Sequence, residues 1–189
     1  PGSFSWPVRL ANLKRCVVVS HLPIDGSDKF LTIVNVHLSA YDDGTMRVQE
    51  MEELETLVEQ EYEDGNYVIV GGDFNQTFPN AVTITDNLDG TETYDYLYEL
   101  KDPDYWEAFP MDSSWFSDNG FSFVNDISTP TCRLLNKPYD SEDHSNNQYY
   151  SIDGFIVSDN VQVISVSVVD QDFQYSDHNP VTMTFSLIP

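Results

Sequence analysis

The order of periodicities between residues 29 and 71 constrains this chain more than any other feature. "KFLTIVNVHL" (29–38) reads as one apolar strand and "YVIVG" (67–71) as another. Between them, residues 45–63 set Val48, Met51, Leu54, Val58 and Tyr62 at three-to-four spacing, with glutamates on the opposite side. That spacing predicts an amphipathic helix whose core face carries those five residues, ended by Asp64-Gly65-Asn66. Strand, helix and strand in immediate succession are the mark of a βαβ unit, hence of an α/β fold with the helix outside its sheet. The second strand is continuously apolar rather than alternating, so it belongs to a sheet covered on both faces.

The remaining chain is read more coarsely. "RCVVVSHL" (15–22) is a strand joined to the next by "PIDGSD", a tight connection, and "YDDGT" leads into the helix. From 76 to about 150 the sequence is polar, aromatic and irregular, the kind of long connection that carries function. Within it, "YDYLYELKD" (94–102) reads as a short helix, "GFSFVND" and "PTCRLL" as short strands, and "NKPYDSEDHSNNQ" as a loop. Strands return at 151–158, 161–170 and 180–188. No repeat or low-complexity linker divides the chain, so residues 1–189 are expected to form a single domain. Cys16 and Cys132 sit in apolar patterns and read as small buried hydrophobes rather than a disulfide. No apolar run is long enough to span a bilayer.

Charge narrows the partners. Eight basic residues against 32 acidic ones give a net charge of −24. Nucleic-acid binding by counterion release needs Lys and Arg facing phosphates, so tracking along duplex DNA or RNA is disfavoured. A metal site could still recruit a single phosphoester locally. Most of the carboxylates read as a solvated surface.

Four stretches place polar groups at the ends of apolar strands. "GGDFN" brings Asp73 and Asn75 to one side of the chain after two glycines, and "VNVHL" puts Asn35 and His37 on one side of its strand. "IDGFIVS" sets Asp153 at the start of an apolar run, and "SDHNPV" sets Asp177 and His178 before the last strand. A single such histidine is more often structural. Four such stretches point to an active site at strand ends, where α/β folds place chemistry.

These four motifs, in this order and with "TPTCR" between the second and third catalytic segments, resemble the endonuclease/exonuclease/phosphatase family of the deoxyribonuclease I-like superfamily. The resemblance runs from about residue 9 to the C-terminus. It implies a four-layer sandwich, two mixed sheets packed face to face with helices outside, and a Mg²⁺- or Mn²⁺-dependent phosphoester hydrolase. Carried over, Asp73 would orient or activate the attacking water and Asn75 would hold that water or a phosphate oxygen. Asp177, with Asp73, would be a metal-side carboxylate. His178 would bind phosphate or relay a proton, oriented by Asp153, and His37 would be the second histidine. Asn35 and Arg133 would be substrate contacts. Independently of the name, phosphodiester hydrolysis needs charge neutralisation, an oriented water and donors to the non-bridging oxygens.

Two departures qualify the resemblance. The family supplies an asparagine and a metal-binding glutamate ahead of these segments, yet the first 36 residues contain no glutamate. The chain is therefore expected to be the C-terminal two-thirds or so of such a domain, lacking one metal ligand and some strands. It would then dimerise or associate with the absent segment. The second departure is Gly154, where an aromatic residue commonly follows the aspartate, with Ser151 where a basic residue often stands. Two other readings stay open. One is a non-catalytic binding module that keeps the fold. The other is a calcium-stabilised surface protein, for which "DNLDG" (86–90) resembles a calcium-loop start without the glutamate at position twelve.

Overall fold

The βαβ unit forms as its pattern demands. The computed structural model describes residues 16–40, 45–101 and 106–188; the opening fifteen residues and the "YDDG" lead into the helix lie outside the described residues. Strand β2 (Phe30–His37), helix α1 (Thr45–Glu63) and β3 (Tyr67–Asp73) follow in order. The two strands run parallel, in register from Leu31 opposite Tyr67 to His37 opposite Asp73. With β1 (Val18–Pro23), β6 (Phe121–Val124) and β9 (Asp153–Ser158) they make a five-stranded mixed sheet in the order β1-β2-β3-β9-β6.

One face of this sheet meets α1, where Met51, Leu54 and Val58 pack on Val34, Val36, Val68 and Val70. Helix α2 (Ser114–Asp118) adds Phe116 to the same core. The helix differs from its expected face at one position. Val48 is 60% exposed, and Arg47 is buried instead. Positions 47, 51, 54 and 58 form the i, i+4, i+7, i+11 row that lies against the sheet. Arg47 can occupy that row because its stem is apolar. Its guanidinium donates to the Ala40 carbonyl at 3.3 Å and lies over the Phe109 ring at 5.3 Å. At the other end of α1, Glu61 accepts hydrogen bonds from His21, Thr32 and Asn66, tying the helix to β1, β2 and the turn into β3. Burial pushes the Glu61 carboxyl up, but those three bonds outweigh it and hold it below its ordinary value.

The opposite face is covered by a hairpin of β10 (Val161–Val168) and β11 (Val181–Leu187), with a register shift between Val163 and Ser165. Ile69, Val157 and Val161 form its contact core, with Val163, Met183 and Phe185 against them. Helix, five-stranded sheet and hairpin thus stack as successive layers, the hairpin standing for the second sheet. Strand β1 pairs with β2 alone among the described residues, and all six of its residues are exposed.

Three further elements depart from the expectations. Of the expected helix over 94–102, the described residues 94–101 are not helical: β5 (Glu92–Tyr96) pairs antiparallel with β4 (Val82–Asp86), a strand the sequence reading did not anticipate. The physical reason lies in the tyrosines, which recur at 94, 96 and 98 with the period of a strand. Cys132 is buried as expected, but Cys16 is exposed, since it precedes an edge strand that nothing covers among the described residues. No helix among the described residues is long and apolar enough to cross a membrane.

Candidate active site

The strand registers assemble the polar residues before any side-chain geometry is considered. His37 of β2 is the register partner of Asp73 of β3, and Asp73 is the partner of Asp153 of β9. Register partners project to the same face. Successive rows on that face run Ile33–Ile69–Val157, Asn35–Gly71–Phe155, His37–Asp73–Asp153, so the surface passes from apolar to charged towards the strand ends. The fourth member, His178, comes from the connection between the two hairpin strands that cover this face. Cys132 of β7 (Cys132–Arg133), a strand paired antiparallel with β8 (Tyr149–Tyr150), bridges to His178, flanked by bonds from Arg133 N–H to the Asp177 carbonyl and from Asn179 N–H to the Thr131 carbonyl.

Glycines make the close approach possible. The β3 strand continues straight through Gly71 and Gly72 to Asp73 rather than turning at them. A Cβ at Gly71 would meet the Phe155 ring at 2.9 Å. At Gly154, a Cβ would fall 2.6 Å from Cζ of the fully buried Phe78. The phenyl ring supplied from Phe78 explains why position 154 carries no side chain here. Ser151 is buried and its hydroxyl accepts from Asn125, so it faces protein rather than substrate.

The side chains then converge. His178 Nδ1 lies 2.9 Å from Asp153 Oδ2 and 3.1 Å from Oδ1, and its Nε2 lies 3.8 Å from Asp73 Oδ2. His37 Nε2 approaches the same Asp73 oxygen at 3.4 Å. Both carboxylates are largely sheltered, at 14% and 15% side-chain exposure, whereas His37 is 59% exposed. Asn75 sits at φ 52°, a left-handed conformation that asparagine tolerates. Its N–H donates to Asp73 Oδ1 at 2.8 Å, while its carboxamide donates to the Leu38 carbonyl at 2.8 Å and to Asp73 Oδ2 at 3.2 Å. Asn75 therefore grips Asp73 directly. Asn35, Asp73, Asp153 and His178 line one cavity of about 620 Å³ between the sheet and the hairpin, floored by Phe155 and Met183.

Two named residues stand apart from this cluster. Asp177 contributes its backbone carbonyl to Arg133, and its carboxylate is not among the groups converging on Asp73. Arg133 lies with its guanidinium 4.8 Å from the Tyr139 ring centroid and donates to the Leu134 carbonyl, leaving Nε buried without a partner among the described residues. Sequence reasoning missed Thr131, whose hydroxyl accepts from the N–H groups of Ile152 and Asp153 at 3.0 and 3.1 Å and so fixes the start of β9. The signal available was the threonine directly before Cys132 in "TPTCR".

No family model matches this sequence, and no curated protein matches it. Solved structures do. An endonuclease/exonuclease/phosphatase from Beutenbergia cavernae is 17% identical with a TM-score of 0.54, over 93% of this chain and 40% of that one. The TDP2 of D. rerio, complexed with single strand DNA product, is 15% identical with a TM-score of 0.54, over 91% and 62%. The endonuclease domain of TRAS1, a telomere-specific non-LTR retrotransposon, is 16% identical with a TM-score of 0.50, over 90% and 63%. The chain has the endonuclease/exonuclease/phosphatase fold. It spans 40% to 63% of the length of these three structures.

Within this endonuclease/exonuclease/phosphatase fold the electrostatics of His178 are set locally. Burial of the ring pulls its pKa down, but the hydrogen bond to Asp153, assisted by Cys132, overrides that and raises it from 6.5 to about 11. Cys132 is itself pushed up to about 11 by burial, so at neutral pH it is a thiol and Asp153 carries the effect. His178 is then an imidazolium beside Asp73, a donor suited to an anionic oxygen. A raised folded-state pKa contributes stability that is complete below 6.5 and is lost as pH rises through about 11. Thermal midpoints followed by circular dichroism are expected to fall over that range, and to fall less steeply in His178→Gln. Identical slopes would contradict the Asp153–His178 coupling.

Proposed function

We propose that this chain belongs to a divalent-metal-dependent phosphoester hydrolase and carries most of its catalytic groups. The observation that supports this reading best is the convergence of Asp153, His178, Asp73 and His37 at the ends of three register-paired strands. In it, Asp73 holds and deprotonates or orients the attacking water, and Asn75 fixes the carboxylate that does so. His178, held charged by Asp153, donates to a non-bridging phosphate oxygen, and His37 faces the phosphate or the leaving group. Asn35, on the cavity wall, and Arg133 are the proposed substrate contacts.

The donor set suits a hard cation. Ligand atoms of Asp73, Asp153 and His178 lie within 4.8 Å of one another, but His178, as the imidazolium set by Asp153, has no lone pair to give, which leaves carboxylate oxygen as the donor. Mg²⁺ or Mn²⁺, held by Asp73 with Asp177 alongside, would neutralise phosphate charge and polarise the ester. Because the Asp177 carboxylate lies outside the converging cluster, direct protein ligands are few, and an ion that dehydrates reluctantly is expected to bind this chain weakly. Slow turnover by this chain alone follows from the same shortage.

The net charge of −24 favours nucleotides, sugar or inositol phosphates and phospholipid head groups over duplex nucleic acid. The exposed β1 edge and the cavity beside the hairpin favour association with a second copy or with a further segment of the fold. The deciding assay is hydrolysis of bis(p-nitrophenyl) phosphate and p-nitrophenyl phosphate with Mg²⁺ or Mn²⁺, then with excess chelator. Turnover proportional to protein and stopped by chelator is expected. Equal turnover in chelator would overturn the mechanism, and no turnover with either metal would favour the non-catalytic binding module.

A further inference from the structure

His37 poses a problem of aim. Its side chain is 59% exposed, so packing alone does not fix where its imidazole points, yet Nε2 lies 3.4 Å from Asp73. Where its imidazole points therefore depends on how its backbone is held as well as on its contact with Asp73. The backbone immediately after His37 is held at almost every polar atom. Leu38 N–H donates to the Asp73 carbonyl at 2.9 Å, and the Leu38 carbonyl accepts from Asn75. Ser39 N–H donates to Glu50 Oε2 and its hydroxyl to Glu50 Oε1, both at 2.8 Å. The Ala40 carbonyl accepts from Trp106 Nε1 at 3.0 Å and from Arg47 at 3.3 Å.

Of these holds, the one from Glu50 is the only one in which a carboxylate uses both oxygens on one residue, and Ser39 is buried. Charge-assisted bonds to a carboxylate are about twice as strong as neutral ones. Without Glu50, the Ser39 N–H would stay buried without an acceptor, and the segment would shift to find one. Two consequences meet at the site. His37, two residues upstream, would lose its aim. The Leu38 carbonyl would move from Asn75, which grips both oxygens of Asp73.

We propose that Glu50 is a positioning residue: from helix α1 it clamps Ser39, and through the 38–40 segment it sets the aim of His37 and the grip of Asn75 on Asp73. The proposal rests on the reading of this cluster as a hydrolytic site. It is tested in the full chain with Glu50→Ala, Glu50→Gln and, as a control for lost helix charge, Glu59→Ala, an exposed glutamate on the same helix. Two readouts are taken: the imidazole cross-peaks of the four histidines in ¹H–¹³C spectra, and kcat and KM on bis(p-nitrophenyl) phosphate with Mn²⁺.

Glu50→Ala is expected to move the His37 cross-peak while His21, bonded to Glu61 at the far end of the helix, stays in place. It is expected to lower kcat about 10-fold or more with KM little changed, since a small misplacement of a reacting group costs that much. Glu50→Gln, which keeps one acceptor and gains a donor that the Ser39 hydroxyl can accept, should recover much of both. Glu59→Ala should match the unsubstituted chain. An unmoved His37 cross-peak in Glu50→Ala overturns the clamp. So does a kcat loss that Glu59→Ala reproduces. If the unsubstituted chain shows no turnover, the hydrolytic reading fails, and the His37 cross-peak still decides the clamp.

Discussion

Replacing Asp73 by alanine or asparagine is expected to lower metal-dependent phosphodiester hydrolysis by about 10³-fold or more, the largest single loss at this site. Asp73 faces both His37 and His178: Oδ2 lies 3.4 Å from His37 Nε2 and 3.8 Å from His178 Nε2. It also offers a carboxylate oxygen to a cation. Removing its charge would therefore take away the proposed water-orienting base and a metal ligand together. Asparagine separates this from a folding defect. Its side-chain oxygen can still accept from the Asn75 N–H, which now bonds Oδ1 at 2.8 Å, so Asp73→Asn should stay within about 1 kcal/mol of the unsubstituted chain in denaturant unfolding. Asp153→Asn should give a smaller loss that acts through His178, because its carboxylate touches the imidazole and not the reacting atoms in this arrangement. An Asp73→Asn chain retaining more than about a tenth of the activity would remove Asp73 from the chemistry.

What the sequence disclosed and what it hid divide along a physical line. Periodicity disclosed the βαβ unit, because a helix stripe and a buried strand are each written in consecutive residues: α1 runs over the same residues, 45 to 63, that the spacing marked. Polar residues at strand ends were legible for the same reason, since an Asp or His that interrupts an apolar run stands out. Rows across strands were not. Nothing local says that His37, Asp73 and Asp153 are register partners; that follows from pairing among segments separated by tens of residues.

Amphipathic side chains also defeated the pattern. Arg47 counts as polar in any hydrophobicity reading, yet it takes the buried row and leaves Val48 outside. The tyrosines of β5 were read as the start of a short helix over 94–102, whereas their strand-period alternation carried the outcome. Glu50 was indistinguishable from its neighbours. On a helix with glutamates at 50, 52, 53, 55, 59, 61 and 63, only the fold shows which one turns to Ser39.

The two glycines before Asp73 carry the second large effect, and they are not equivalent. Gly72→Ala is expected to destabilise the chain by about 4 kcal/mol or more, or to prevent folding, the range reserved for backbone strain combined with a core clash. Gly72 sits at φ 147°, a conformation side-chain-bearing residues rarely adopt, in the middle of the β2–β3–β9 pairing. A Cβ there would lie 2.0 Å from the Val36 carbonyl oxygen, 2.9 Å from its carbon and 3.1 Å from its nitrogen. These are backbone atoms of β2 and cannot swing aside as a side chain could. Relief would require β3 to rotate or to part from β2, and either movement breaks the row that holds His37 against Asp73. Gly90→Ala is the natural comparison. It too has a positive φ, 83°, but nothing lies within 4 Å of its Cβ, so only the conformational term of about 1–2 kcal/mol remains. Guanidinium unfolding of the two variants separates strain from collision. A Gly72→Ala chain as stable as Gly90→Ala would mean that β2 and β3 do not approach as closely as their register requires.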